Sequence, residues 1–442
     1  MTTVNTDLRQ HIQAVVDRWS KGLERCGYDA VWIAAGDQHM HFQDDHGPAF
    51  QANPYFTQLV DPDFAHAGAQ CLIQPGRKPQ LFLLQPIDYW HAPSPLPEHL
   101  NNDAEINVFN SEADLHTACQ TIQDQLGQTA YVGEDRGNEN PGTLNDERLI
   151  SYMDFHRAVK TPHELNLMRQ ASEVGVRGHM AARSAFGDGC SEFEIHMAYL
   201  QASQQTDLDV PYANIVALNE HGATLHYQHQ ERTHPDPALS LLIDAGGTVQ
   251  GYASDITRTY AADPDTLFAS LISLMQTHQD HLLGWIRPGI SYADLHEQMH
   301  RNLAKVLVSA DLVTCSAEAA FTQGITEKFC PHGLGHLLGI QVHDVGGHLA
   351  DDNGTQAPPA PNYPSLRFTR TLSPDQVFTI EPGLYFIDPL LEQLRQEKAA
   401  VNWTVVDKLK PFGGIRIEDN VRVLSQGIEN LTRDAWSRVT NV

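Results

Sequence analysis

The stretch LLIDAGGTVQGYASDITRTY (residues 241–260) constrains the fold more than any other part of the chain. Apolar runs flank a glycine-rich centre, the pattern of two strands joined by a tight turn. With the turn placed over Thr248 to Gly251, Asp244 is expected directly opposite Asp255. Opposed residues have Cβ atoms about 4.5–5.5 Å apart. Two ionised carboxylates that close repel, and one pKa rises unless a cation separates them. Taken alone, the stretch also fits a polar turn with two solvated aspartates. A one-residue slip of register would break the pairing.

A chain of 442 residues exceeds what one core usually organises, so two domains are expected. With 29 Lys and Arg against 55 Asp and Glu, the net charge is −26. That balance argues against nucleic acid, which is bound by neutralising phosphates, and against anionic membrane surfaces. The opening MTTVNTDLRQHIQAVV has no apolar signal core, and no run of 18 apolar residues occurs, so neither a secretory signal nor a membrane span is expected. The six cysteines are scattered without a C-x-x-C pair, which suits reduced thiols in a cytosol. Cys330 reads as a packed small residue.

In the first 160 residues, YDAVWIAAG and KPQLFLLQP read as buried strands, and DLRQHIQAVVDRWSKGLERCG as a helix with a glycine stop. This is an α/β domain without a Gly-rich phosphate loop. A boundary falls at HRAVKTPHEL, where Thr161, Pro162 and Glu164 fit the N-cap, N1 and N3 positions of a capping box. Further helices are expected at EFEIHMAYLQASQQ, LFASLISLMQTHQDHLLGWI and YADLHEQMHRNLAKVL, and a Pro-rich loop at DDNGTQAPPAPNYPS.

Later strand-like segments carry the remaining chemistry. FCPHGLGHLLGIQVHD supplies His332, His336 and His343; the first two have helical metal-site spacing, but H-E-x-x-H is absent. VFTIEPGLYF ends an apolar strand with Glu381, which could equally cap a loop. In PFGGIRIEDNVRV, Arg416 and Glu418 share one face and Ile415 and Ile417 the other, which also fits a surface ion pair. Four carboxylates with an imidazole suit hard or borderline cations such as Mn²⁺ and balance two divalent ions by charge. Two metals about 3.5–4 Å apart are a common hydrolytic centre.

Together with DVPYANIVALNEHGATLHY, DYWH and HRAVKTPHEL, these motifs resemble those of the pita-bread metallopeptidases, and among them the bacterial prolidases (Xaa-Pro dipeptidases), over essentially the whole chain. The resemblance implies an N-terminal α/β capping and dimerisation domain (1–160) and an α+β pita-bread catalytic domain (161–442). It implies five metal ligands, Asp244, Asp255, His336, Glu381 and Glu418, holding two divalent ions. Mn²⁺ is the first choice, with Co²⁺ or Zn²⁺ as alternatives. Asp255 and Glu418 bridge the ions, and His336 is preferred over His332 because it lies seven residues before His343 of the VHD element.

The implied reaction is hydrolysis of Xaa-Pro dipeptides by a metal-bridging hydroxide, with Glu381 as proton acceptor and donor and His226 and His343 stabilising the tetrahedral intermediate. His332 lines the pocket and Arg416 faces it. Arg367 matches the arginine that binds the substrate carboxylate, Tyr212 the proline-side pocket, and Asp45 an acidic residue brought by a neighbouring subunit. Arg370 reads as surface solubility. A cytosolic homodimer is implied. Organophosphorus-ester hydrolysis is an expected side reaction. The alternatives are an aminopeptidase for longer Xaa-Pro peptides and, from another class, a metal-free pita-bread binding protein.

Overall fold

The computed structural model describes residues 2–87, 89–90 and 95–440; Asp88 and His91 of the DYWH stretch lie outside the described residues. The chain divides into two compact units. The first comprises Met1–Arg157, Thr161–Leu165 and Asp351–Thr355, and the second comprises Ala158–Lys160, Asn166–Ala350 and Gln356–Val442.

The first unit contains helices α1 (Thr2–Cys26), α2 (Pro54–Thr57), α3 (Glu112–Gln123) and α4 (Glu147–Arg157). Its strands are β1 (Ala30–Ala34), β2 (Gln70–Ile73), β3 (Gln80–Leu84), β4 (Glu105–Phe109), β5 (Thr129–Val132) and β6 (Thr143–Leu144). They form one mixed sheet in the order β4-β3-β2-β1-β5-β6. Strand β1 is apolar throughout because both its faces are covered. Val31 and Ile33 pack with Val15, Trp19 and Leu23 of α1 and Leu149 of α4, while Ala30, Trp32 and Ala34 share the opposite core with Leu115 of α3. Alternation along one short strand thus recruits helices to both sides of the sheet.

The long helix α5 (Pro162–Gly187) starts at the expected capping box, its first residues in the first unit and the rest, from Asn166, in the second. The Thr161 N–H donates to Glu164 Oε2 (2.7 Å) and the Glu164 N–H to Thr161 Oγ1 (3.3 Å). Such a cap contributes about 0.5–2 kcal/mol. Helix α6 (Glu192–Ser203) starts on a second capping box, Ser191 with Glu194. Helices α7 (Leu267–Leu283) and α8 (Tyr292–Ser309) follow where the apolar periodicity places them.

The strands of this unit are β7 (Ile215–Leu218), β8 (Ser240–Asp244), β9 (Thr248–Val249), β10 (Tyr252–Ala253), β11 (Thr257–Ala261), β12 (Val377–Ile380), β13 (Gly383–Tyr385), β14 (Gly414–Arg416), β15 (Asp419–Val423) and β16 (Ile428–Asn430). They pair as β11-β8-β7, β12-β15-β16, β13-β14 and β9-β10. Leu271, Met275 and Leu282 of α7 and Leu295, Met299 and Leu303 of α8 share one core with Phe378, Ile380, Ile415, Ile417 and Val421. Ile415 and Ile417 therefore point at the helices, and the alternate positions Arg416 and Glu418 point away from them, into the site. The Pro-rich stretch 351–365 forms no helix. Among the described residues no helix is long and apolar enough to cross a membrane.

Candidate active site

The aspartate hairpin differs from its expected register. Strand β8 pairs with β11 so that Asp244 stands opposite Thr257, not Asp255. Val249 pairs with Tyr252, and the two loop residues, Gln250 (φ 50°) and Gly251 (φ 81°), are both left-handed, as a type I′ turn requires. The turn therefore closes one residue later than expected and the register shifts by two. An even shift keeps both aspartates on one face. Their carboxylates still converge: the Tyr212 hydroxyl lies 2.7 Å from Asp244 Oδ1 and 2.5 Å from Asp255 Oδ1. Asn420 brackets the Asp255 backbone, accepting from its N–H (3.0 Å) and donating to its carbonyl.

A directly opposed carboxylate pair does exist, on the other hairpin. Ile380 pairs with Asp419, and Gly383 with Arg416, in one common register. Glu381 accordingly stands opposite Glu418, where the ladder is interrupted. Each glutamate turns its N–H to a third segment: Glu381 donates to Leu334 O (2.9 Å) and Glu418 to Thr257 O (3.0 Å). The first bond brings in the loop carrying His336, the second the aspartate hairpin. The interruption is what gathers four chain segments at one point.

His332 and His336 lie on no helix. The segment runs beside β12 instead, with Thr379 N donating to His336 O (3.0 Å) and Leu338 N to Val377 O (3.0 Å). Its close approach depends on Gly335, where a Cβ would overlap the Thr379 carbonyl oxygen and the Tyr292 hydroxyl. His336 Nδ1 donates to Leu337 O (2.9 Å), which leaves Nε2 facing Asp255 Oδ2 at 3.3 Å and Glu381 Oε1 at 3.8 Å. The ligand atoms of Asp255, His336 and Glu418 all lie within 4.8 Å of one another.

One fixed cation serves this cluster. The Arg416 guanidinium, 4% exposed, donates to Asp244 Oδ2 (2.7 Å), Thr257 Oγ1 (3.1 Å) and Tyr385 Oη (2.9 Å). Thr257 in turn donates to Glu418 Oε2 (2.6 Å). Tyr385 donates to His332 Nε2 (2.9 Å), whose Nδ1–H donates to Gly333 O (2.8 Å). That chain fixes His332 as a neutral donor–acceptor, and burial and Arg416 push its pKa down to about 3.

The carboxylates show the strain of their crowding. Burial, then Asp255, Glu381 and Asp244, hold Glu418 well above the usual range. Burial pushes Glu381 up to about 7, against the pull of His336 and Arg416. Burial raises Asp244 too, with Arg416 opposing. Asp255 alone is lowered: burial pushes it up, but the hydrogen bond and charge of His336 outweigh that. A buried, oxygen-rich donor set with one imidazole and a single arginine fits divalent cations.

The remaining expected residues lie at the rim of the second unit, and Asp45 is exposed in the first. His343 is exposed, its ring 4.4 Å from that of His336 and nearly perpendicular to it. Exposed His226 lies within electrostatic reach of both His332 and His343, and exposed Arg367 within reach of His343. Arg367 has no carboxylate partner among the described residues. Tyr212, expected as a pocket wall, has its hydroxyl on the aspartates. Arg370, expected at the surface, is 6% exposed and donates to Gly346 O (3.3 Å). Cys330 is buried, its thiol pushed up to about 12.

Three residues escaped the sequence reading. Thr257 could have been found by counting two from Asp255 along the strand. Tyr385 stands two beyond Gly383, which lies opposite Arg416. Glu192, 1% exposed, accepts from Leu218 N (2.8 Å), His221 Nδ1 (2.7 Å), Tyr227 Oη (2.8 Å) and Glu231 N (2.8 Å), and so anchors the loop that carries His226. No local pattern announces it.

Residues 166–425 match metallopeptidase family M24, and residues 6–155 match the family described as Xaa-Pro dipeptidase, N-terminal domain. The Xaa-Pro dipeptidase of Shewanella loihica is 47% identical over 408 residues, covering 91% of this chain and 92% of its own. That of Shewanella woodyi is 43% identical over 440 residues, covering 98% and 99%. Among solved structures, aminopeptidase P from E. coli matches with a TM-score of 0.75 at 22% identity, over 97% of this chain and 95% of its own, which shows the shared fold. The chain therefore belongs to metallopeptidase family M24, a pita-bread catalytic domain preceded by the N-terminal domain of the Xaa-Pro dipeptidases.

Proposed function

We propose that this chain is an Xaa-Pro dipeptidase working with two divalent cations, Mn²⁺ before Co²⁺ or Zn²⁺. The observation that carries this reading is the opposed pair of half-buried Glu381 and buried Glu418 beside Asp255 and His336, where two ionised carboxylates without a cation repel. Asp244, Asp255, His336, Glu381 and Glu418 would hold the ions, with Asp255 and Glu418 shared. Bound there, the pair lowers the pKa of water and polarises the scissile carbonyl.

The chain's own groups do the rest. Glu381 takes the proton of the attacking water and returns it to the prolyl nitrogen. That nitrogen carries no hydrogen in the peptide, so it must gain one to leave. His226 and His343 face the developing oxyanion, and neutral His332 lines the pocket. Arg416 holds Asp244 and, through Thr257, Glu418. Arg367, without a carboxylate partner, binds the substrate's C-terminal carboxylate, the feature that makes the enzyme a dipeptidase. The same reading carries a homodimer acting in the cytosol and slow hydrolysis of phosphotriesters as a side reaction.

Proline release from Ala-Pro and Ala-Pro-Ala, by metal-stripped protein given back Mn²⁺, tests it. Mn²⁺-dependent cleavage of Ala-Pro alone is expected. Arg367→Ala should raise KM for Ala-Pro by about 10–100-fold, the value of a charge-assisted pair, with kcat little changed. Equal cleavage of the tripeptide would make the protein an aminopeptidase and remove that role. Cleavage of phosphotriesters alone would reverse the main and side activities.

A further inference from the structure

The interrupted ladder leaves a gap that one side chain fills. Around Glu381 and Glu418 the strands stop exchanging regular hydrogen bonds, Pro382 has no N–H to offer, and Ile417 N reaches Pro382 O only at 3.4 Å. The carbonyls flanking the gap, on Ile380 and Ile417, immediately precede the two glutamates. Both receive a bond from the same amide: Gln279 Nε2 of helix α7 donates to Ile380 O at 2.9 Å and to Ile417 O at 3.0 Å. Its Oε1 accepts from Arg433 Nη2 at 2.9 Å and from Gln276 Nε2 at 3.1 Å, so every polar site of this fully buried side chain is used.

We infer that Gln279 is the positioning residue of the metal site: its two amide hydrogens hold the strands carrying Glu381 and Glu418 at the separation that two cations require. A planar NH₂ offers two donors in a fixed fork, so it sets the distance between two acceptors as well as bonding each. Gln279 touches neither substrate nor cation. It acts through the backbone of the residues before the ligands. This inference rests on the metal reading above.

The test is Mn²⁺ affinity, measured by calorimetric titration of the metal-stripped full chain, with thermal unfolding of the same samples. The wild type should bind about two ions. Gln279→Leu keeps the volume and removes both donors; it should weaken Mn²⁺ binding by about 10–100-fold, the range seen when partners behind a metal's ligands are lost. Gln279→Asn keeps an amide that is too short to span both carbonyls. It should show the same direction, and it stands in if the leucine variant does not fold. Leu282→Ala, a core truncation on the same helix, controls for plain destabilisation: it should lower the melting temperature and leave Mn²⁺ affinity unchanged. Wild-type affinity in a folded Gln279 variant, or an equal loss in Leu282→Ala, would overturn the positioning role. Failure of the wild type to bind Mn²⁺ would overturn the metal reading itself.

Discussion

The catalytic unit builds a carboxylate pair twice, on two hairpins, and it does so differently. On the aspartate hairpin the turn is tight, the ladder between Asp244 and Thr248 is reduced to Ala245 N to Ile256 O (3.0 Å) and Ser254 N to Gly247 O (2.8 Å), and the carboxyls are offset across the strands, with Tyr212 between them and Arg416 on Asp244. On the glutamate hairpin Glu381 and Glu418 are directly opposed and the ladder opens around them. Thr257 donates to one and Thr379, at 3.4 Å, to the other; among the described residues no arginine donates to either glutamate's carboxylate. The contrast shows two ways to concentrate charge: offset it and give it donors, or oppose it directly and leave the charge for something else to neutralise. The second hairpin has the greater need of a cation.

Removing a residue proposed as a shared ligand should have the largest effect and should not distinguish the hairpins. Asp255→Asn and Glu418→Gln are each expected to lower proline release by more than the roughly 100-fold upper range for partners behind the ligands, with metal content falling in parallel. A variant that keeps both its metal and its activity would remove that residue from the ligand set. The next effect reads the protonation of Glu381. Glu381, near 4.5 when unfolded, is pushed up to about 7 in the folded, cation-free protein. Between those values the folded state binds more protons than the unfolded one, so stability falls as pH rises. Chelator-treated protein should therefore melt several degrees lower at pH 8 than at pH 5, and Glu381→Gln should reduce that slope without abolishing it, because Glu418, Asp244 and His336 are raised as well. Asp255, held low by His336, should contribute nothing to it. An unchanged slope in Glu381→Gln would break the comparison. The smallest effect lies outside both hairpins: Glu192→Gln sets an NH₂ against donors of the His226 loop. It should raise KM by about 10-fold, a hydrogen bond's worth, without loss of metal. Metal loss in that variant would tie the rim to the floor.

The same two hairpins show how far the sequence can be read. Both capping boxes, the long helices and the family motifs are written in neighbouring residues, and each is visible in order along the chain. The face of the aspartate hairpin was legible because alternation survives an even shift. Its register was not, since T-V-Q-G offers two places for the turn and only the backbone of Gln250 chooses between them. The opposition of Glu381 and Glu418 was hidden because helices intervene between the two strands and no turn announces their pairing. Arg370 misled for a simpler reason: a charge is usually outside, and nothing local marks an arginine that is not.

The bond from Gln279 to Arg433 reaches further than the geometry of a gap. Arg433 lies on the helix Leu431–Thr440, whose Thr432 Oγ1 also accepts from Asn420 N–H (2.9 Å) and whose Arg433 Nε donates to Asp419 (2.7 Å). Two of these contacts fall on Asp419 and Asn420, the two residues that follow Glu418. On a ribosome this helix is made after each of the five proposed ligands has been polymerised, and domains form as the chain emerges. A nascent chain carrying all its ligands would still lack the struts beneath them. Trimming the segment after Asn430 should therefore disarm the enzyme without deleting a single proposed ligand.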